Sequence, residues 1–127
     1  MFAKSVAEFL ENNGFGEIDK NIFINTFPSR ANVPNSLCVF DTYSYKIRGR
    51  ARNSASFNCR IQVRDNKSSD ASRKAFDIYN LLEQGSIYDN NGKRFMTRPL
   101  NPPTFQKFDE NNRAYWILSV TGVSHNY

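Results

Sequence analysis

Lys46, Arg48, Arg50 and Arg52 alternate with Ile47, Gly49 and Ala51 in the run from Tyr43 to Asn53. In an extended chain, side chains two apart share a side, so all four cations project together. Such a comb suits a polyanion or the acidic surface of another protein. Tyr43 and Tyr45 add rings able to stack on bases. A solvated loop has the same composition, and no nucleic-acid fold motif accompanies the run. The run belongs to an acid-free interval between Asp41 and Asp65 that also holds Arg60 and Arg64. The net charge of +5 is concentrated there, because outside those six cations 11 others face 12 carboxylates.

Residue types that usually carry catalysis are present without their partners. His125 is the sole histidine and stands two residues from the last one, a position usually too mobile for a catalytic base. Asp109-Glu110 is a carboxylate pair at an expected turn. Acid–base catalysis needs two environments that push the pKa values apart, and a solvated hairpin tip explains the pair better. Gly14-Phe15-Gly16 lacks the spacing and the preceding strand of a phosphate loop. Cys38 and Cys59 both sit in apolar strand-like runs and read as buried, reduced thiols; a disulfide stays open if their strands are neighbours. Two cysteines and one histidine lack metal-ligand spacing. The expectation is a non-enzyme with no cofactor and no metal.

The elements that position these residues are legible from hydrophobic period. Phe2, Val6, Phe9 and Leu10 mark a helix over residues 2 to about 13, stopped by Asn12-Asn13-Gly14. Ile22 to Phe27 and Leu37 to Tyr43 are strand candidates, separated by a loop with Pro28 and Pro34. Phe57, Cys59, Ile61 and Val63 alternate with Asn58, Arg60, Gln62 and Arg64, the cleanest strand in the chain. Its polar face, with Arg60 and Arg64, points to solvent or to a partner. Ser69 to Gly85 is an amphipathic helix with Ser69 or Asp70 as candidate cap and an apolar stripe of Ala71, Ala75, Ile78, Tyr79 and Leu82. Short strands follow at Ile87 to Asn90, Lys93 to Arg98 and Thr104 to Phe108, with a proline break at Pro99, Pro102 and Pro103. In the last strand, Arg113 to Val123, Trp116, Leu118 and Val120 face the core. Tyr115 and Ile117 take the other face, where they fit a subunit contact. The fold expected is α+β: a single domain over residues 1–127, a mostly antiparallel sheet with two helices on one face, plus an extended basic hairpin arm.

The aromatic content, 11 Phe, 6 Tyr and 1 Trp, means a core built largely from rings. No stretch approaches 18 consecutive apolar residues, so no membrane span is expected. The first residues lack the hydrophobic run of a signal peptide, which suggests assembly in the cytosol.

Several features together resemble the small phage proteins often labelled minor capsid protein, which belong with the tail terminator, or tail completion, proteins of long-tailed phages. They are the opening helix ending near Asn13-Gly14, the strand from Phe57 ending Gln62-Val63-Arg64, and the helix with Ala71, Ala75 and Ile78-Tyr79-Asn80-Leu81-Leu82. Pro102-Pro103 and Asp109-Glu110-Asn111-Asn112-Arg113 before an aromatic strand complete the match. The Lys46-to-Asn53 segment is richer in arginine than that pattern. The resemblance implies a structural virion protein, assembled in the host cytoplasm as a hexameric homo-oligomer ring. The ring caps the head-proximal end of the tail tube, docks the tail tube protein to the head connector, and lets genome DNA pass through its lumen. Another connector component (a stopper or adaptor) and a basic nucleic-acid-binding protein are the alternatives.

Overall fold

Phe2, Ala3, Val6, Ala7 and Leu10 recur at helical spacing, and α1 (Phe2–Asn12) buries all five in the core. The computed structural model describes residues 2–28, 33, 35–46, 55–83 and 85–124, with 43–46 described by backbone alone. At the end of α1, Gly14 adopts φ +84°. There Phe15 N–H donates to the Leu10 carbonyl at 3.0 Å, as the glycine stop predicts.

The start of α1 is capped from a distance. Ala3 N–H donates to Asp41 Oδ1 at 2.9 Å, a carboxylate 38 positions away in β2 (Ser36–Lys46). A negative charge there satisfies an orphan donor and favours the positive helix end. Asn25 holds that carboxylate in place through its own amide, 3.2 Å away. Asp41→Ala should therefore destabilise the chain by about 1 kcal/mol. Urea denaturation checks this as a lower midpoint at unchanged slope.

The remaining elements are β1 (Ile22–Ile24), β3 (Ala55–Asp65), α2 (Ser68–Leu82), β4 (Ser86–Tyr88), β5 (Arg94–Pro99), β6 (Thr104–Phe108) and β7 (Ala114–Ser124). They form a seven-stranded sheet in the order β1-β2-β3-β7-β5-β4, with β6 paired to β7. All named pairs are antiparallel except β1 with β2. The α+β architecture is as the sequence predicts, with both helices on one sheet face. β1 ends earlier than expected because Asn25, not Pro28, turns the chain, at φ +62°.

β7 is the spine. It pairs with β3 from Ala114 opposite Asp65 to Ser124 opposite Ala55. Its other side is shared, β5 meeting Val120–Val123 and β6 meeting Ala114–Ile117. β5 and β6 are thus one strand line interrupted at Leu100 to Pro103, where the prolines have no N–H to give the ladder.

Side chains of one parity build the core: Leu37 and Val39 of β2, Cys59, Ile61 and Val63 of β3, Leu118 and Val120 of β7. Ala71, Ala75, Ile78 and Leu82 of α2 close over them, the alanines letting the helix sit low on the sheet. The expected cap at Ser69 or Asp70 is not used. Lys67 holds the N-cap position without a side-chain bond, and Ser68 Oγ instead accepts the Trp116 indole N–H at 3.0 Å.

Cys38 lies opposite Gln62, on the face away from Cys59, which belongs to the core. Both are free thiols, so the strand neighbourhood does not produce a disulfide.

Candidate functional site

The expected basic arm falls mostly outside the described residues. Lys46 closes β2 opposite Ala55, and Arg48, Arg50 and Arg52 lie beyond, as does His125.

The sheet face not covered by helices can be followed on β3, β7, β5 and β4. On it, Arg60 stands opposite Ser119, Gln62 opposite Ile117, and Arg98 opposite Thr121. Arg60, Arg94 and Arg98 are exposed, and Ile117 is half-buried. Arg94 Nε donates to Ser86 Oγ at 3.0 Å. None of the three arginines meets a carboxylate among the described residues, and the described strand positions of this face carry none.

Arg64 and Tyr115, expected on this face as contact residues, do point to it but are covered. Arg64 is 1% exposed and Tyr115 8%. The chain after β1 folds across them. Arg64 lays its guanidinium on the Phe27 ring, 4.1 Å from the centroid. Its Nη1 donates to the Pro28 carbonyl and its Nη2 to the Val33 carbonyl at 2.9 Å. The Tyr115 hydroxyl lies 3.5 Å away. Arg64 therefore clamps Phe27, Pro28 and Val33 of the chain that follows β1. Cys38 is buried on this same face, and burial pushes its thiol up to about 12, against N–H groups of Thr26 and Asn25 that favour the thiolate. Burial raises Cys59 further. Neither is a nucleophile near neutral pH.

The Tyr115 hydroxyl donates onward to Asp109 Oδ2 at 3.0 Å, which ties the clamp to the β6–β7 turn. Asp109 Oδ1 accepts the backbone N–H of Asn111 and Arg113, and Oδ2 accepts Arg113 Nε at 2.7 Å. Asp89 closes the β4–β5 turn with the same backbone pattern, to Asn91 and Lys93. The Asp109-Glu110 pair is thus a turn device and not an acid–base pair. Burial opposes the Asp109 charge. The Arg113 N–H and guanidinium, the Tyr115 hydroxyl and the Asn111 N–H outweigh it and hold the carboxyl down to about 2. An unfolded aspartate titrates near ~4. The stabilisation is therefore complete above pH ~4 and is lost as pH falls through ~2. Asp109→Asn should flatten the acid limb of a stability–pH curve over that window, measured by thermal melts at stepped pH.

A second surface lies at the β6 edge. Every residue of β6 is exposed, and one of its edges has no strand partner among the described residues. Phe105 and Phe108 project from it with ring centroids 5.0 Å apart. Phe105 stands opposite Trp116 and packs on it at 5.9 Å, and Phe76 of α2 meets the same indole at 6.4 Å. The rings step down from the helix layer to the open edge. Thr104 to Phe108 reads in sequence as an ordinary strand, and only its position at an edge exposes both rings. Edge strands of this kind are sites of strand addition or subunit contact unless blocked.

Among the described residues no cluster of His, Cys, Asp and Glu has the makings of a metal site. The geometry supplies surfaces rather than a reaction centre. Residues 9–121 match the family model described as Bacteriophage tail terminator protein. No curated protein matches the chain.

Proposed function

Because the chain belongs to the bacteriophage tail terminator family, a structural and non-enzymatic component of the virion tail that meets the tail tube, we propose that it acts as a ring. Six copies close on the head-proximal end of the tube, stop its polymerisation and present the surface that joins the head connector. The observation that carries this reading is the family match across residues 9–121, which takes in every strand and both helices in part or whole. A ring subunit needs two different lateral surfaces and two axial ones. A sheet face free of helices and an open β6 edge whose rings stand on the helix side of the sheet are suited to that need.

The basic run Lys46, Arg48, Arg50 and Arg52 is the arm that reaches an acidic surface on the tube or connector. Genome DNA passes through the lumen, and phosphate contacts sum quickly. A channel gripping phosphate would slow passage, so the arm contacts protein.

The test is assembly of particles without this chain. Overlong tails and unjoined heads are expected, and added purified protein should restore normal tails. Tails of normal length in its absence would overturn the reading. Neutralising Arg48, Arg50 and Arg52 together should leave the melting temperature unchanged and reduce head–tail joining at least ~10-fold, as expected for a lost charged contact. Normal joining by that variant would remove the arm from the proposal.

A further inference from the structure

We infer that neighbouring copies join front to back, the uncovered sheet face of one seating on the aromatic step of Phe76, Phe105 and Phe108 of the next. This rests on the ring reading above and names the surfaces that close the ring.

The chain carries exposed apolar side chains on both sides of its core. On the sheet face, Tyr88 is 63% exposed and Met96 44%; at the step, Phe105 is 44% and Phe108 58%. The parities show that these are different sides. Met96 stands opposite Val123 on the uncovered face, whereas Phe105 stands opposite Trp116 on the helix side. Two separate patches on opposite sides are what a heterologous contact requires, and one self-complementary patch is what a two-fold dimer requires.

Charge separates the two sides in the same sense. The helices with their flanking turns, residues 2–21 and 65–83, hold eight carboxylates and five cations. The described strands of the sheet face show Arg60, Arg94 and Arg98 and no carboxylate, and Asp109 at the rim is already engaged by Arg113 and Tyr115. A sheet face meeting its own copy would set arginine against arginine, which opposes association. Meeting the helix side, it faces an excess of carboxylates.

The composition of the sheet face also distinguishes protein from nucleic acid as its occupant. Arg, Tyr and Met are enriched at the centres of protein interfaces, and acidic residues are depleted there. A phosphate-tracking surface needs the arginines but gains nothing from an exposed Met96.

The experiment uses two variants of the full chain. Met96→Asp with Arg98→Glu disables the sheet face, and Phe105→Asp with Phe108→Asp disables the step. All four positions are exposed, and thermal melts check that both variants fold. If either melts early, the milder pair Arg98→Glu and Phe108→Ser replaces it. Light scattering is read at a concentration where the wild type forms rings, on its own or on tail tubes. Each variant should be monomeric alone, and an equal mixture should give dimers and nothing larger, because one live surface of each kind remains. Wild-type-like assembly of either variant, or a mixture that stays monomeric, overturns the inference and leaves the ring reading standing. A sheet-face variant that assembles normally but loses salt-dependent duplex binding shown by the wild type also overturns it, in favour of a nucleic-acid surface. A wild type that never assembles overturns the ring reading and the inference with it.

Discussion

Arg64→Ala should lower the unfolding free energy by about 3 kcal/mol, because it orphans the Pro28 carbonyl, leaves Val33 with only the Ser36 hydroxyl as donor, and strips the cation from the Phe27 ring. The side chain is 1% exposed, forks to Pro28 and Val33, and lies flat on Phe27. Its removal also leaves a void where the stem packed. At this chain length the melting temperature should fall by about 10 °C. Arg64→Lys should recover less than half of the loss. An ammonium on a flexible stem cannot span both carbonyls and stack on a ring at once. Arg60→Ala, four residues away on the same strand face, should stay within about 0.5 kcal/mol of the wild type. An unchanged denaturation midpoint for Arg64→Ala would mean that Phe27, Pro28 and Val33 are held by other means.

The second large effect is at Gly122 in β7. A Cβ there meets the ring of Phe2, which occupies the space a side chain would fill. Phe2 is 2% exposed and stacks at 5.3 Å on Phe95 and 6.2 Å on Phe57. Gly122→Val must evict that ring and, with it, the first turn of α1. Losing a buried phenyl costs about 2–3 kcal/mol, and strain adds to it, so a total of about 3 kcal/mol is expected. Phe2→Leu makes room for part of the valine. The double variant should be at least ~1 kcal/mol more stable than the sum of the singles predicts. Strict additivity in a double-mutant cycle would contradict the close approach.

Both effects show where reading the sequence stops. The alternation in β3 correctly placed Ile61 and Val63 inside and Arg60 and Arg64 on the opposite face. It had no means of telling those two arginines apart. Which one is covered depends on where the chain after Asn25 crosses the sheet, and that path is set by a parallel β1 and by the Arg64 clamp itself. Asp41 reads as one acid at the end of an apolar run, yet it caps a helix 38 positions away. Gly122 reads as a weak point in a strand, yet a phenyl ring needs that gap. The aromatic step is hidden from sequence for a related reason: Phe105 and Phe108 in a short strand suggest core, and their exposure follows from the proline break that sends β6 to the rim.

The sequence by itself determined the two helices, the strand line of β3 and β7, the turn chemistry at Asp109 and the kinship with tail terminators. These depend on residue period and on neighbours within a few positions, which the chain order records directly. Only the tertiary structure decided which cations remain free, which carboxylate caps which helix, and on which sides of the core the exposed apolar groups stand. Those depend on distant segments meeting across the sheet, and period carries no information about which segment does the covering.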